Sequence, residues 1–265
     1  MPKRRQKYSL RARFIHPHAQ EMEYYRALQP LADLCFKAMI DTYWHALYLH
    51  PAGKDTAIHD ALTVKGSTLL SRKAEREVFK VWSDKDIERM ASKAADNISA
   101  AHKRQFTRKL AKVLEIKPYI LDKSEAEVEK IKEGFIVENV ELIKSIPNYY
   151  FQAIEGWVTK AGNEGWTAAR LANDLKESFD LSRNKAKLIA RDQTGKLFGQ
   201  LNKERQTAAG IRKFVWRTME DERVREEHEA LDGQEFSWDD PPDEGMPGEP
   251  IQCRCTADAV LEGDE

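Results

Sequence analysis

Two cysteines with one residue between them lie near the C-terminal end of the sequence, and a histidine precedes them in a short segment with helical spacing. If Cys253 and Cys255 belong to one β-strand, their side chains lie on the same face, because successive side chains alternate. His228 lies on the apolar face of the predicted helix. Packing of this helix on that strand would bring two thiolates and one imidazole together, which is three of the four ligands of a Cys/His zinc site.

Two interpretations of this cluster stay open. In the first, the cluster binds zinc, although the Cys-x-Cys spacing is shorter than usual and Asp221 or Asp232 would have to supply the fourth ligand. In the second, both cysteines and His228 are packed core residues, and the imidazole is hydrogen-bonded. Zinc is therefore a candidate cofactor rather than a required one.

Four polar residues of the same region have the types that form ion pairs: Asp221, Arg223, Asp232 and Arg254. Asp221 can cap the short helix through the backbone amides that follow it. Either arginine can pair with either aspartate, and such pairs give loops a fixed geometry where the core is small. No nucleophile–base pair and no glycine-rich phosphate loop accompanies them, so the sequence predicts a structural polar network and no catalytic residues.

The composition limits the classes of protein that the chain can represent. Hydrophobic residues make up 41% of the 265 residues and charged residues 33%, which suits long, solvated helices around a modest core. No apolar run approaches the length of a membrane span, and no apolar segment follows the basic N-terminus as a secretory signal requires. Three cysteines are too few for a disulfide framework, so we expect synthesis in a reducing cytoplasm.

Charge is distributed unevenly along the chain. Residues 220–265 contain 17 acidic residues and 3 arginines, a formal charge of −14, which leaves +13 for the rest. Six basic residues precede the first acid, Glu21: Lys3, Arg4, Arg5, Lys7, Arg11 and Arg13. A basic arm of this kind can contact DNA by neutralising phosphates, although a solvated terminus without a partner has the same composition.

Hydrophobic spacing predicts a mainly α-helical fold. Apolar residues recur at intervals of three and four, and capping boxes at Ser83/Asp86 and Ser124/Glu127 indicate helix starts. The predicted helices cover residues 27–50, 83–114 and 124–147, continue from Tyr150 to Gly162, and start again at Thr167 and Ser182. From residue 211 the period changes to two, which predicts short strands at 211–219, 236–238 and 253–261.

We therefore expect long helices followed by a small C-terminal α+β module with a short antiparallel sheet of about three strands. The predicted boundaries place a basic N-terminal arm at 1–20 and an N-terminal helical region at 21–120. A helical body follows at 121–209, and the small acidic module occupies 210–265.

The residues between Trp216 and Cys255 resemble, in type, order and spacing, the C-terminal signature of the phage Mu F-like minor head proteins. They are Trp216-Arg217-Thr218, Asp221-Glu222-Arg223-Val224-Arg225, His228, Leu231-Asp232-Gly233, Phe236-Ser237-Trp238, Pro241-Pro242, Pro247-Gly248 and Cys253-Arg254-Cys255. The upstream run from Ile143 to Leu201 is similar to the helical part of the same family, and it includes Ala186-Lys187-Leu188-Ile189-Ala190-Arg191-Asp192-Gln193-Thr194. The resemblance covers about half of the chain, from about residue 125 to about residue 260.

This resemblance implies a structural protein of a tailed bacteriophage that acts in head morphogenesis and is not an enzyme. Proteins of the family are low-copy head components at the portal vertex, linked to head assembly and in some cases to DNA packaging or ejection. The implied partners are the portal protein, with scaffold protein, major capsid protein and DNA as further candidates, and no membrane. The implied location is the virion head near the portal, with the host cytoplasm during assembly. Some members carry an appended toxin or enzyme domain, and we expect none here because the signature lies just before Glu265.

Two other functions stay as alternatives. A metal-dependent hydrolase would use the His/Cys/Cys cluster as ligands, with an open metal position in a cleft and Glu226, Glu227 or Glu229 as the base. A general DNA-binding protein would present a contiguous basic face. The acidic charge of residues 220–265 argues against DNA contact by the C-terminal module, and no helix-turn-helix or zinc-finger spacing predicts sequence-specific binding.

Overall fold

The computed structural model describes residues 7–44, 46, 63–111, 118–166 and 168–264. These residues form mainly helices and a small antiparallel sheet, which confirms the predicted fold class. The helices are α1 (His18–Met39), α2 (Val64–Val81), α3 (Asp84–Phe106), α4 (Pro118–Asn163), α5 (Ala168–Glu177), α6 (Phe179–Ala208) and α7 (Glu226–Leu231). Short π-helical turns, Ile40–Trp44 and Thr107–Ala111, follow α1 and α3. None of the described helices has both the length and the apolar character that crossing a bilayer requires.

The capping box predicted at Ser83 marks the start of α3, whereas Ser124 and Ser182 do not mark helix starts. The N–H of Asp86 donates to Ser83 Oγ at 3.3 Å and the N–H of Ser83 donates to Asp86 Oδ2 at 3.2 Å, which confirms this capping box. The starts predicted at Ser124 and Ser182 are wrong, because both serines lie inside helices. The Ser182 hydroxyl instead donates to a carbonyl oxygen of α1 at 2.8 Å. The start predicted at Thr167 lies outside the described residues.

A proline does not end α4. The sequence predicts separate helices on either side of Pro147, whereas one helix runs from Pro118 to Asn163. Proline removes one backbone hydrogen bond and crowds the preceding turn. Burial on both sides offsets this cost, since Ile143, Ile146 and Tyr150 are fully buried.

The sheet in the described residues has the strand order β1–β4–β2–β3, and each neighbouring pair is antiparallel. Its strands are β1 (Lys7–Ala12), β2 (Lys213–Arg217), β3 (Glu235–Ser237) and β4 (Thr256–Asp264). The three C-terminal strands appear in the predicted order. The last of them begins later than predicted, at Thr256, so that Cys253 and Cys255 precede β4 rather than belong to it.

The N-terminal segment takes part in the fold, in contrast to the basic arm predicted for residues 1–20. All six residues of β1 pair with β4. Phe14 follows with 1% exposure; its N–H donates to the Asp258 carboxylate at 2.8 Å, and its ring stacks on His102 at a centroid distance of 5.5 Å. The positive charges of the segment suggested a solvated terminus. Its packing was not predicted, because Asp258, which binds the Phe14 N–H, lies 244 residues away and leaves no local pattern in the sequence.

The chain divides into two compact units that are interleaved along the sequence. The first unit is drawn from Met1–Glu23, Ser92–Val137 and Ala190–Glu265, and the second from Tyr24–Ala91 and Glu138–Ile189. The predicted succession of four regions does not coincide with these units, since a long helix such as α4 supplies residues to both. The first unit contains the sheet and the predicted cluster.

Each unit holds buried polar side chains that are hydrogen-bonded. In the first, the buried Arg205 donates to His102 Nδ1 at 2.9 Å and lies 3.4 Å from a carboxylate oxygen of Glu125. Burial and the Arg205 charge lower the pKa of His102 to about 3, so its ring is neutral and accepts from the guanidinium. In the second, the buried Tyr43 hydroxyl bonds to Ser71 Oγ at 2.6 Å.

We expect Phe14→Ala to lower the free energy of unfolding by about 3–5 kcal/mol, because it empties a buried aromatic position. The adjacent Ile15 side chain is 53% exposed. As the matched control, Ile15→Ala should change the same quantity by less than about 0.5 kcal/mol. Urea unfolding followed by circular dichroism measures both. Small losses of equal size would mean that this segment does not pack as described.

Candidate functional site

The loop that carries both cysteines of the cluster lies directly on the backbone of helix α6. A Cβ atom added to Gly195 would lie 2.5 Å from the carbonyl oxygen of Cys253, and one added to Gly199 would lie 2.5 Å from that of Pro247. Gly248 has a φ of +93°, and a Cβ there would lie 2.5 Å from the Gly195 carbonyl oxygen. These distances leave no room for a side chain, so the three glycines set how closely the loop approaches the helix.

Asp192 of α6 holds the same loop through its backbone. Its Oδ1 accepts the N–H of Gln252 at 2.7 Å, and its Oδ2 lies 2.9 Å from Lys196 Nζ one helical turn away. Gln252 has a φ of 57°, a conformation that costs a residue with a side chain about 1–3 kcal/mol. The carboxylate offsets this cost, because hydrogen bonds to ionised acceptors are stronger than neutral ones.

His228 lies on the short helix α7, which begins differently from the prediction. The sequence predicts that Asp221 caps this helix, but α7 begins at Glu226 after Arg225, which makes no side-chain capping bond. Asp221 instead accepts the backbone N–H of Arg223 at 3.2 Å in the preceding turn. His228 is 3% exposed and points into the first unit.

The structure brings the three residues of the predicted cluster together. His228 Nδ1 lies 3.6 Å from Cys253 Sγ and 3.5 Å from Cys255 Sγ. The N–H of Cys255 donates to Cys253 Sγ at 3.4 Å, and the Trp216 ring packs edge-on against the imidazole at a centroid distance of 5.3 Å. The two cysteines are 4% and 7% exposed. Sulfur and imidazole nitrogen are donor types that suit zinc.

The two thiols of the cluster differ in acidity. A hydrogen bond from Cys255 lowers the pKa of Cys253 to about 6, against the opposing effect of burial. The same contact, burial and the charge on Cys253 raise the pKa of Cys255 above its ordinary value. The two thiols share this hydrogen bond and therefore titrate as a pair, which loses its first proton more readily than an ordinary thiol does.

Neither aspartate that the sequence suggested as a fourth ligand joins the cluster. Asp221 forms a two-point ion pair with Arg254, with N–O distances of 2.6 and 2.8 Å. Asp232 accepts the N–H of Thr218 at 2.8 Å and lies 3.7 Å from Arg217. Among the described residues, the His/Cys/Cys cluster is the only group of His, Cys, Asp and Glu side chains close enough to share one metal ion.

The predicted polar network forms with partly different partners. Arg254 and Asp221 pair, and the hydrogen bond from Arg254 lowers the pKa of the Asp221 carboxyl below its usual value. Asp232 pairs with Arg217, which also lies 3.2 Å from the buried Asp258. The predicted network did not include Asp258, which lies 41 residues from Arg217 in the sequence.

A cavity of about 290 Å³ lies beside the cluster. The three side chains of the cluster line it, together with four arginines: Arg191, Arg223, Arg225 and Arg254. Arg191 lies 3.5 Å from the buried Glu21, and Arg225 donates to the Ile251 carbonyl oxygen at 2.5 Å. Neither arginine was predicted as a site residue, although both lie in segments that carry the family resemblance.

The described lining of the cavity contains none of the glutamates predicted as the base of a hydrolase. No aspartate or glutamate is among the described residues that line it. Glu226, Glu227 and Glu229 on α7 are exposed and are not part of the lining. General-base catalysis requires such a group within hydrogen-bond reach of the attacking water. The described residues therefore do not support the metal-dependent hydrolase.

The basic residues predicted to contact DNA are described only in part. Outside the described residues lie Lys3, Arg4 and Arg5. Lys7 and Arg11 lie on β1, where the backbone is described. Arg13 is exposed and lies 4.0 Å from Glu220. DNA contact by this segment stays a prediction.

Comparison with known proteins agrees with the resemblance in the sequence. Residues 152–258 match the family described as Phage Mu protein F like protein, which confirms the resemblance for a segment that contains α5, α6 and the whole cluster. An uncharacterized protein of Haemophilus influenzae is 38% identical over 128 residues, which cover 48% of this chain and 29% of the relative. The chain thus spans less than a third of that relative's length. No solved structure matches the chain.

We expect Gly199→Ala to lower the free energy of unfolding by about 1–3 kcal/mol, because the new Cβ would overlap the Pro247 carbonyl oxygen and displace the loop. In α4, a Cβ at Gly156 would meet nothing within 4 Å. As the matched control, Gly156→Ala should raise the same quantity by about 0.5–1 kcal/mol through helix propensity. Urea unfolding of both variants measures the effects. A gain in both would contradict the close backbone contact.

We expect Arg254→Gln to destabilise the protein at pH 7 by up to about 1 kcal/mol, since its pair with Asp221 is partly exposed. Arg254 lowers the folded-state pKa of Asp221, so the contribution of the pair is fully present above the unfolded pKa. It is lost as pH falls through the lower folded value. The difference in melting temperature between the wild type and Arg254→Gln should therefore shrink below about pH 4.

Arg223→Gln is the control for this titration, because it keeps the backbone N–H that binds Asp221 and removes only a charge that lowers the Asp221 pKa less than Arg254 does. We expect its melting temperature to stay closer to that of the wild type than that of Arg254→Gln does from pH 7 to pH 3. If the deficit of Arg254→Gln stayed constant over this range, the ion pair would not be its cause.

Proposed function

We propose that this chain is a minor head protein of a tailed bacteriophage, a structural component that acts in head morphogenesis at the portal vertex. The observation that carries the proposal is the match of residues 152–258 to the Phage Mu protein F like family. The match includes the glycines of α6, the loop that lies on them and the cluster. It therefore covers the contacts that give this part of the fold its shape.

The contacts of the matched segment favour a structural role over a catalytic one. Asp192 and Asp232 accept backbone N–H groups of loops, and Asp221 is paired with Arg254. These charged groups fix loop geometry, which suits a protein that presents a defined surface to partners. The cavity beside the cluster, whose described lining contains no carboxylate, gives no comparable support to catalysis.

The proposed location is the virion head near the portal, with the host cytoplasm as the location during assembly. The proposed principal partner is the portal protein, and scaffold or major capsid protein are further partners. A role in DNA packaging or ejection would place DNA next to the basic N-terminal segment. This part of the proposal depends mainly on the residues that precede β1, because residues 7–12 pair with β4.

Capture of the portal protein tests the proposal. In cells that produce the phage and carry a tagged copy of the full chain, we expect the portal protein to co-purify with the tag. We also expect the chain in heads purified by density gradient, detected by mass spectrometry. The matched control is the same phage with the portal gene deleted, in which assembled particles should lack the chain.

Two results would count against the proposal. A chain that captures no portal protein and is absent from purified heads would refute a role in the virion. A chain that enters heads equally well without the portal gene would refute the location at the portal vertex. Neither result depends on a substituted variant that could fail to fold.

A further inference from the structure

The two sulfur–nitrogen distances within the His/Cys/Cys cluster are those of a tetrahedral zinc site. Zinc binds cysteine sulfur at about 2.3 Å and histidine nitrogen at about 2.0–2.1 Å, so a sulfur and a nitrogen on one tetrahedral ion are about 3.6 Å apart. The observed distances from His228 Nδ1 are 3.6 Å to Cys253 Sγ and 3.5 Å to Cys255 Sγ. We propose that these three side chains bind one zinc ion, whose fourth coordination position opens into the adjacent cavity.

Hydrogen bonds alone do not account for this arrangement. Both sulfurs lie close to the same imidazole nitrogen, and a neutral imidazole nitrogen has one lone pair with which to accept a hydrogen bond. A ring N–H at Nδ1 can point at only one of the two sulfurs, and a bare Nδ1 can accept from only one, whereas a cation between the three atoms contacts all of them. The Cys255 N–H that donates to Cys253 Sγ at 3.4 Å also suits a ligating thiolate, because outer hydrogen bonds orient metal ligands.

Separate contacts hold the three ligands in place. His228 lies on α7 against the Trp216 ring, the carbonyl of Cys253 lies against Gly195 of α6, and Cys255 directly precedes β4. The surrounding core cluster is small and contains Phe214, Trp216, Trp238 and Ala257 besides the two cysteines. In a module with a small core, metal binding that joins separate elements contributes directly to the free energy of folding.

We expect the fourth ligand to come from solvent rather than from a further His, Cys, Asp or Glu of the described residues. No further His, Cys, Asp or Glu among the described residues lies close enough to the cluster. The three ligands line the cavity of about 290 Å³, and the charged residues in the same lining are the four arginines. Arginine side chains donate hydrogen bonds and carry positive charge, so they favour a neutral or negative oxygen as the fourth ligand of the metal. We therefore expect two sulfurs, one nitrogen and one oxygen around the metal.

Metal content of the full-length, tag-free protein tests the site. After gel filtration we expect one zinc per chain by plasma mass spectrometry, and two sulfur and two nitrogen or oxygen neighbours by X-ray absorption at the zinc edge. Cys253→Ser, Cys255→Ser and His228→Ala should each lose most of the zinc. The matched control is Cys35→Ala, which removes the third buried cysteine and should keep one zinc per chain.

Chelation gives a second readout that needs no variant. Removal of zinc from the wild type should lower its melting temperature, and re-addition should restore it, while the melting temperature of Cys255→Ser should not respond to the chelator. A wild-type chain that holds no zinc and takes up none in a competitive chelator titration would overturn the proposal. Loss of zinc from Cys35→Ala, or another metal at full occupancy, would overturn it as well. None of these outcomes bears on capture of the portal protein.

Discussion

The close contact between helix α6 and the loop over residues 247–253 is the constraint on which the site depends. Gly195 and Gly199 lie one turn apart, and the absence of side chains there lets the loop backbone lie on the helix. Asp192, on the preceding turn, adds a charged acceptor for the Gln252 N–H. The position of Cys253 is therefore set by backbone packing, and the distance of its sulfur from His228 follows from that packing.

Carboxylates that accept backbone N–H groups hold the other irregular segments of the first unit. The N–H groups of Gln252, Arg223, Thr218 and Phe14 donate to Asp192, Asp221, Asp232 and Asp258, respectively. Backbone N–H groups outside helices and sheets have no regular hydrogen-bond partner, and burying such a group without one costs free energy. Part of the strong negative charge of residues 220–265 thus has a structural use, because three of these four aspartates belong to that range.

Some local features of the sequence predicted the structure, whereas the caps predicted at Ser124, Ser182 and Asp221 were wrong. The Ser83/Asp86 capping box and the change to a period of two after residue 211 are both local, and α3 and β2 follow from them. The sequence predicted that His228 on one helix face and the two cysteines on one strand face would lie together. They do, although the cysteines precede β4. The sequence did not predict helix α2. Its buried face includes Ser67 and Ser71, whose hydroxyls are hydrogen-bonded, so this face is less apolar than that of the predicted helices.

Features that depend on distant residues were not predictable from spacing. The pairing of β1 with β4, the ion pair of Arg217 with Asp258 and the continuation of α4 through Pro147 each arise from tertiary contacts that override a local signal. Asp221 and Asp232 were candidate metal ligands by residue type alone. Their carboxylates are instead occupied by an arginine and by a backbone N–H, which only the three-dimensional arrangement reveals.

The pairing of β1 with β4 also fixes the order of events when the chain is made. Phe14 and its partner Asp258 are 244 residues apart. At about 5–20 residues per second, the ribosome therefore releases β1 roughly 10–50 s before β4 exists. Throughout that interval the backbone groups of residues 7–12 lack the partner strand that they have in the folded chain, and unpaired strand edges favour aggregation. The sheet therefore closes only after residues 256–264 have been made, however early the helices form.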